Sequence, residues 1–534
     1  MHLVCRHHLI QWGLVAILMI GTAVNAADPA APSSRPPNIV VILADDLGYS
    51  DIGCYGSEIA TPNLDALAAE GLRFTNFYNT ARCWPSRAAL LTGYYAQQVR
   101  RDTIPGVKSG SQGTRPAWAP LLPVVLKPQG YRSYHSGKWH IDSTPIAAGF
   151  DHSYWLEDCG RNFHPQVHYA DDLMLPAVKP GSGYYSTTYI AEQAIGHLQD
   201  HAQSHADEPF FQYVAFVAPH FPLQAPSEDI AQYKDTYRSG WDVIRAARWK
   251  KMQEIGLVAG NLSDVEREVG PPYPFPKALE AYGPQEVNRP IAWVDLTPEQ
   301  QDFQSTKMAI HAAMIDRMDQ EIGRLLAQIR DMGQWDNTVI MFLSDNGASA
   351  EMMVRDDGHD PHAAPGSAAT HLCLGPGWSN VSNTPFRRHK TWVHEGGIAT
   401  PLIVHGPNVV SSTAQLRHEP GHVIDLWPTL TGLAGLREVP LPEGAPARPG
   451  IPLNFGPPHA IPEREIWWAH EGNRAIRVGK WKLVAAKDEP WELFDLDNDR
   501  AEQNDFAGRS RMTSVLSELW EQRWREFQQQ AQTP

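Results

Sequence analysis

The chain of 534 residues is too long for one small core, so we expect a large domain with a smaller one attached. Its formal net charge of −15 at pH 7 argues against nucleic acid as a partner, because nucleic-acid binding requires a basic face. An anionic substrate would therefore need a local cluster of cations that acts against the overall negative field.

Residues 1–26 have the pattern of a secretory signal peptide: a polar start, an apolar run and small residues at a cleavage position. Proline and serine are frequent in 27–37, which we interpret as a flexible leader. An uncleaved membrane anchor is the alternative, although the apolar run is short for a bilayer span. No later stretch is apolar enough to cross a membrane. We therefore expect a secreted or periplasmic protein with no membrane span after signal cleavage.

The first predicted element is a strand at 38–43, an uninterrupted aliphatic run typical of a strand that is buried on both faces. Asp45 and Asp46 follow it directly. Two adjacent carboxylates repel each other unless a cation lies between them. A surface Asp-Asp turn is the alternative, but the buried strand favours a cation site.

A helix is predicted from Thr61 to Ala69, with threonine in the cap position and proline at its start. A second helix begins with Cys-Trp-Pro-Ser-Arg at 83–87. Cys83 would lie in its first turn, where backbone N–H groups and the helix dipole favour an anion. Arg87, one turn later, would reach the same group as a fixed cation. The alternative is an ordinary buried cysteine.

A predicted strand at 131–135 runs into Lys138 and His140. These two residues are two positions apart, so in an extended segment their side chains point to the same side. A further buried strand at 209–217 ends shortly before His220. A histidine between prolines is often structural, but its place at a strand end favours a role in the site.

The segment 228–303 has an irregular pattern with a proline-rich break, so we interpret it as an insertion that shapes the pocket wall. A helix is predicted over 308–329. It leads into a buried strand at 338–343, which is followed by Asp345 and Asn346.

A strand at 401–404 is preceded by Lys390. Strands and helices thus alternate, and the unusual polar groups gather at strand ends, where an open α/β sheet has its ligand crevice. We expect an α/β fold with a large mixed, mostly parallel β-sheet flanked by helices, in a catalytic domain at 38–440.

The C-terminal part has a different pattern. The segments 475–484 and 491–496 alternate between apolar and polar residues, as in half-exposed antiparallel strands. A polar helix at about 510–529 closes the chain. We expect a smaller α+β subdomain at 441–534, with an antiparallel sheet and a helix.

Two groups of residues carry weaker signals. Three histidines lie in a Gly-, Ala- and Pro-rich loop that we interpret as solvated, with the substrate pocket as the alternative: His359, His362 and His371. The cysteine count does not indicate a disulfide scaffold. Whether the three cysteines besides Cys83 that follow the signal form a disulfide stays open: Cys54, Cys159 and Cys373.

Taken together, these motifs resemble the type I, formylglycine-dependent sulfatases of the alkaline phosphatase superfamily, and the segment 383–401 resembles the arylsulfatase branch most. The resemblance covers nearly the whole mature chain. It implies that a formylglycine-generating or equivalent maturation enzyme converts Cys83 to formylglycine. It also implies one divalent cation, Ca²⁺ or alternatively Mg²⁺. Its ligands would be the modified Cys83 and four oxygen-bearing side chains: Asp45, Asp46, Asp345 and Asn346.

The resemblance further implies that sulfate esters are hydrolysed through a covalent sulfo-formylglycine intermediate. The metal and Arg87 would favour ionisation of one hydroxyl of the aldehyde hydrate, which attacks sulfur. Lys138 and Lys390 would neutralise the sulfate oxygens, and His220 or Lys390 would protonate the departing oxygen. His140 would take the proton from the remaining hydroxyl, so that sulfate leaves and the aldehyde returns.

Two alternatives remain at this stage. A phosphodiester or phosphonate monoester hydrolase could share the fold, but phosphatases of this kind recruit a second metal where Lys138 and Lys390 would lie. A secreted, non-catalytic binder of sulfated glycans could retain the pocket, but the intact Cys83 argues against it. Aryl sulfates and sulfated carbohydrates both stay open as substrates.

Overall fold

The computed structural model describes residues 35–355, 358–406, 409–410, 414–457 and 463–533. The signal peptide predicted at 1–26 and most of the leader lie outside the described residues. Among the described residues, no helix combines the length and the apolar character that crossing a bilayer requires.

A large mixed sheet forms the centre of the structure. Its strand order is β10-β2-β9-β8-β1-β7-β3-β4-β5-β6, and β11 also pairs with β2. From β8 through β1, β7 and β3 to β4 the strands are parallel, whereas β9 is antiparallel to both β8 and β2. In the described residues its eleven strands are β1 (Asn38–Ala44), β2 (Leu72–Tyr78), β3 (Arg132–Lys138), β4 (His152–Leu156), β5 (His168–Ala170), β6 (Leu173–Met174), β7 (Phe210–Ala215), β8 (Thr338–Ser344), β9 (Ala399–His405), β10 (Gln415–Arg417) and β11 (Gly421–His422).

Helices cover both faces of this sheet. The longest described helix, α8, packs against α1, α4 and α5. The described α-helices are α1 (Pro62–Ala69), α2 (Cys83–Thr92), α3 (Leu122–Leu126), α4 (Ser186–Ser204), α5 (Ser227–Tyr233), α6 (Trp241–Glu254), α7 (Pro276–Tyr282), α8 (Pro298–Asp331), α9 (Gly375–Ser382), α10 (Glu395–Ile398), α11 (Leu426–Leu433) and α12 (Met512–Gln532).

The side chains of β1 alternate between two hydrophobic layers, because successive residues of a strand point to opposite faces. Val40 packs in the layer that contains Ile315 of α8. Val41 packs in the opposite layer with Leu90 of α2. Burying an aliphatic side chain of this size contributes roughly 1.5–3 kcal/mol to folding. The central strand is therefore held rigidly from both sides, and so is the turn that follows it.

A second, antiparallel sheet lies near the C-terminus. Its outer helix α12 is fixed by tryptophans: the rings of Trp467 and Trp520 are stacked with centroids 5.5 Å apart, and Trp520 Nε1 donates to the backbone oxygen of Trp468 at 2.9 Å. The four strands are β12 (Glu465–His470), β13 (Asn473–Val478), β14 (Trp481–Ala485) and β15 (Glu492–Asp495).

The predicted fold class is confirmed: a large, mostly parallel sheet is flanked by helices, and a small antiparallel sheet and a helix follow. The strands predicted at 38–43, 338–343 and 401–404 are β1, β8 and β9. The strand predicted at 131–135 continues as β3 as far as Lys138.

The segment 228–303, whose sequence pattern is irregular, contains the helices α5, α6 and α7. The charged residues of α6 explain why its periodicity was not apparent. Arg248 in this helix is buried by ion pairing, with Nη1 2.7 Å from Asp51 and Nη2 2.7 Å from Glu58. A buried face that is made partly of paired charges does not produce an apolar period.

The cap position predicted for the first helix is confirmed, but the threonine side chain does not bind the helix end. Thr61 occupies the N-cap position of α1, but its hydroxyl accepts from the backbone N–H of Gly53 instead of from the helix. Asp319 of α8 takes this role, because its carboxylate accepts from the N–H groups of Asn63 and Leu64 at 3.0 and 2.8 Å. A neighbouring helix thus satisfies the free donors of α1.

Candidate active site

The strand order places two acidic turns side by side. β1 and β8 are parallel neighbours in register up to Ala44, so the residues that follow them meet at one sheet edge. The backbone N–H of Asp345 donates to the oxygen of Ala44 at 3.2 Å. One residue further on, Asn346 Nδ2 donates to Asp46 Oδ1 at 2.6 Å. Asp46 has φ = 61°, a left-handed conformation that is uncommon outside glycine and frequent at functional sites.

Cys83 is the first residue of α2 and is buried beside this edge. Arg87 lies one turn further along the same helix. Its guanidinium group contacts Asp345 Oδ2 through Nη2 at 2.7 Å and Nε at 3.0 Å, and Asp45 Oδ2 through Nη2 at 3.4 Å. Its Nη1 also donates to the backbone oxygen of Lys138 at 2.7 Å. Arg87 therefore ties α2 to the ends of three strands.

Two lysines lie on the adjacent aspartates. Lys138 Nζ forms a buried ion pair with Asp45, and Lys390 Nζ lies 2.8 and 2.9 Å from the two oxygens of Asp46. Burial by itself would raise the pKa of Asp45, but Lys138, His220 and Arg87 hold it far below its ordinary value. Asp45 is consequently a permanent anion at the base of the site.

Two histidines complete this group. His220 Nε2 lies 3.6 Å from Asp46 Oδ2, and burial lowers its pKa. His140 was expected to share an extended segment with Lys138, but its φ of 56° shows that the backbone turns after β3 ends. The turn still directs both residues into one cleft. Burial, Lys138 and Arg87 lower the pKa of His140 well below its ordinary value, so its ring is neutral.

A cleft of about 730 Å³ opens over these groups. Its floor contains the sequence-predicted cysteine, lysines and histidines: Cys83, Lys138, His140, His220 and Lys390. The buried carboxylates and Asn346 adjoin this floor. The site thus has lysine cations, the neutral ring of His140 and the imidazole of His220 facing a cavity that is large enough for a small anionic ester.

Oxygen donors at the sheet edge provide a possible metal site. The ligand atoms of Asp45, Asp46 and His220 lie within 4.8 Å of one another. Asp45 Oδ1 and Asn346 Oδ1 are buried, and neither has a hydrogen-bond partner among the described residues. Buried acceptors without donors are costly, and a hard cation satisfies them. Burial and the neighbouring Asp45 also raise the pKa of Asp345 to about 7, although Arg87 and Lys138 act in the opposite direction.

Comparison with known proteins identifies the family. The model of the Sulfatase family matches residues 37–436, which span every strand and helix that contributes to the cleft floor. The chain belongs to the sulfatase family. As a member of this family, it is a sulfuric ester hydrolase.

Individual relatives agree with this assignment. This sulfatase is 31% identical to an uncharacterized sulfatase of Schizosaccharomyces pombe, covering 89% of this chain and 90% of that protein. It is also 31% identical to an arylsulfatase of Klebsiella aerogenes, covering 76% of this chain and 88% of that one. The crystal structure of Ps i-CgsB in complex with k-i-k-neocarrahexaose superposes with a TM-score of 0.64 at 24% identity, covering 94% of each chain, which shows a shared fold.

Sequence reasoning missed two charged residues of the sulfatase cleft. Glu351 is buried, with Oε2 3.1 Å from Lys390 Nζ. Its Oε1 lies 3.0 Å from Nη1 of Arg82, the residue before Cys83. The only sequence signal for Glu351 is a single acidic residue in an otherwise apolar stretch after Asn346, which is too weak to identify it.

The weaker sequence signals are also settled. His371 was expected in a solvated loop but is buried, and its ring lies 6.3 Å from that of Phe221 at the cleft. His362 is exposed and His359 is partly exposed. The cysteines of the described residues are all free: Cys54, Cys83, Cys159 and Cys373.

Proposed function

We propose that this sulfatase hydrolyses its ester with a formylglycine derived from Cys83 and one Ca²⁺ ion, as a secreted or periplasmic enzyme activated by a formylglycine-generating or equivalent maturation enzyme. The signal-like pattern at 1–26 supports the location. The substrate is an aryl sulfate or a sulfated carbohydrate.

The observation that carries this proposal is the contact between α2 and the acidic edge. Arg87 joins the helix that begins with Cys83 to Asp345, on the same edge as the orphaned oxygens of Asp45 and Asn346. This contact supports a reactive side chain at position 83 beside the group of oxygen donors. This arrangement suits a nucleophile that is activated by a cation.

The donor chemistry fits calcium. Carboxylate and amide oxygens are ligands for hard cations and are poor for zinc, which prefers nitrogen and sulfur. The residues that would hold the ion are Asp45, Asp46, Asp345 and Asn346. When bound there, Ca²⁺ would lower the pKa of a hydroxyl on the modified side chain at position 83, whose two hydroxyls would serve attack on sulfur and the release of sulfate.

The unmodified thiol is poorly suited to act directly. Burial raises the pKa of Cys83, and Lys138 and Lys390 offset this only in part. Because the thiolate is the nucleophilic form, a protonated thiol is a weak nucleophile. This favours conversion of Cys83 over cysteine catalysis.

The remaining groups have distinct proposed roles in the cleft. Lys138 and Lys390 neutralise the sulfate oxygens. His220 or Lys390 donates a proton to the departing oxygen, and His140, whose buried Nδ1 has no partner among the described residues, accepts a proton for the release of sulfate. The neutral state of His140 matches a base.

The lysine positions favour one metal over two. Lys138 Nζ pairs with Asp45 and Lys390 Nζ pairs with Asp46, so the two ammonium groups occupy the region beside these carboxylates where a second metal would lie. This supports a sulfate ester over the phosphate substrates of two-metal enzymes.

Peptide mass spectrometry after co-production with a maturation enzyme tests the proposal. We expect an aldehyde at position 83 and a rate of sulfate release that is proportional to aldehyde content. Cys83→Ala should remove the activity while leaving the fold intact by circular dichroism. A Cys83→Ala protein that releases sulfate at the parent rate would refute the assignment.

A further inference from the structure

Glu351 needs an explanation because it is a negative charge inside a site that binds an anion. Its side chain is 1% exposed and lines the same cleft as Cys83. Its two oxygens are held by different cations: Oε2 by Lys390 at 3.1 Å and Oε1 by Arg82 at 3.0 Å. Ser349 Oγ donates to Oε2 as well, also at 3.1 Å. This carboxylate is built into the site.

Glu351 is ionised at neutral pH. Burial by itself would raise its pKa, but Lys390 and Arg82 hold the pKa well below the ordinary value of a glutamate. Removing one partner of such a buried pair leaves an unmatched charge. The state of Glu351 therefore affects the potential of the whole cleft.

The charges divide into two halves. On one side, Arg87 and Lys138 face Asp45 and Asp345. On the other side, Lys390 contacts Asp46 and Glu351, and Arg82 contacts Glu351. Each half thus pairs two cations with two carboxylates, and the second half is balanced only while Glu351 is present. Without it, two cations would share a single aspartate on the second side.

A sulfate ester and a phosphate monoester differ in charge more than in shape. A sulfate ester and a phosphodiester each carry one negative charge. A phosphate monoester carries about 1.5 to 2 negative charges at pH 7, because its second pKa is about 6. All three present a tetrahedral group with oxygens around the central atom. The potential of the cleft is therefore the means by which it can separate the phosphate monoester from the two singly charged esters.

We propose that Glu351 is a specificity-determining residue, which lowers the positive potential beside Lys390 and Arg82 so that the cleft favours a singly charged sulfate ester over a doubly charged phosphate monoester. The inference rests on the proposed function, because it takes the cleft above Cys83 as the place where the ester reacts. It adds a reason for the presence of a carboxylate that the reaction itself does not use.

The experiment compares three chromogenic esters: 4-nitrophenyl sulfate, 4-nitrophenyl phosphate and bis(4-nitrophenyl) phosphate. Glu351→Gln keeps the shape of the side chain and removes its charge. At a pH about two units above the second phosphate pKa, we expect kcat/KM for the phosphate monoester, relative to the sulfate, to rise about tenfold or more. The ratio of kcat/KM for the diester to kcat/KM for the sulfate should stay constant, since both esters carry one negative charge.

Two controls separate charge from structure. Glu286 forms another buried ion pair outside the cleft, with its Oε2 2.7 Å from Lys307 Nζ. Glu286→Gln removes this charge and should leave the monoester-to-sulfate and diester-to-sulfate ratios of kcat/KM unchanged. Glu351→Asp retains the charge and should keep the parent selectivity. Arg82→Gln removes a positive charge and should have the opposite effect to Glu351→Gln. The inhibition constant for inorganic phosphate should rise relative to the KM for the sulfate ester. This variant keeps the inference testable if Glu351→Gln does not fold.

Activities are normalised to the aldehyde content at position 83. The inference would be overturned if Glu351→Gln carrying the aldehyde at position 83 kept the parent ratio of kcat/KM for the phosphate monoester to that for the sulfate. It would also be overturned if the ratio for the diester rose as much as the ratio for the monoester. If Glu351→Gln does not fold, unchanged phosphate inhibition in Arg82→Gln would overturn it. Cys83→Ala, assayed in parallel, tests the proposed function separately: parent-rate sulfate release by that variant would refute the nucleophile without changing the charge comparison.

Discussion

Two nitrogen atoms of Arg87 donate hydrogen bonds to the same carboxylate oxygen of Asp345, Nη2 at 2.7 Å and Nε at 3.0 Å. Both side chains are fully buried. This pair joins the helix that begins at Cys83 to the end of β8, so it sets the distance between position 83 and the acidic edge.

Replacing Arg87 with lysine should lower kcat/KM for an aryl sulfate about 100-fold, because an ammonium group lacks the planar fork that makes both contacts. Steady-state kinetics, normalised to aldehyde content at position 83, measure the effect. Arg500→Lys is a matched control, since Arg500 makes a comparable pair with Glu395 outside the cleft. Parent-rate turnover by fully modified Arg87→Lys would contradict this role.

Calcium should raise the midpoint of thermal unfolding, and chelation should lower both the midpoint and the activity, because the ion satisfies the buried oxygens of Asp45 and Asn346. Asn346→Ala should weaken the calcium-dependent shift measured by differential scanning fluorimetry. Asn38→Ala is the control, because it removes a buried asparagine at the other end of β1. This variant should show the same calcium-dependent rise in the unfolding midpoint as the parent. A chelated wild-type enzyme with unchanged turnover would argue against a metal role.

Lys390→Ala and His220→Asn should lose more activity on alkyl or sugar sulfates than on activated phenyl sulfates, because a poor leaving group depends more on proton donation. Lys138→Ala is the comparison, since a group that only neutralises sulfate should affect both ester classes alike. Rates over a series of leaving groups report the difference. Equal losses on both classes for Lys390→Ala and His220→Asn would remove their proposed role as acids.

Stability should fall as the pH is lowered from 6.5 towards 3. Burial lowers the pKa of His135 to about 3, whereas the same group in the unfolded chain titrates near its ordinary value of 6.5. In this window the unfolded state binds the additional proton, so the free energy of unfolding decreases by about 1.4 kcal/mol per pH unit for this group. His135→Asn, which retains a partner for Ser153, should flatten the curve obtained by denaturant unfolding.

Measurements at pH 7.5 separate the loss of packing from the proton effect in His135→Asn, because the ring is neutral in both states there. A variant whose stability falls with acid as steeply as that of the parent would show that other groups control the dependence.

The sequence alone was sufficient for the fold class and for the principal strand ends. The run at 38–43 must be buried, since it contains no polar side chain after Asn38. The positions of Asp45 and Asp345 after such runs predicted that they meet. Parallel neighbours β1 and β8 then bring them together.

The local sequence pattern did not predict elements or site residues that depend on buried charges. α6 was not apparent because its Arg248 packs through ion pairs with Asp51 and Glu58. Glu351 was missed for a related reason, because its partners Arg82 and Lys390 are 269 and 39 residues away in the chain.

The sequence by itself determined which chemical groups lie at the ends of its strands, because hydrophobic period and turn chemistry are local properties. Only the tertiary structure decided which cation meets which carboxylate: Lys138 with Asp45, and Lys390 with Asp46 and Glu351. Coulomb interactions depend on distance in space and on burial, and neither is a property of spacing along the chain.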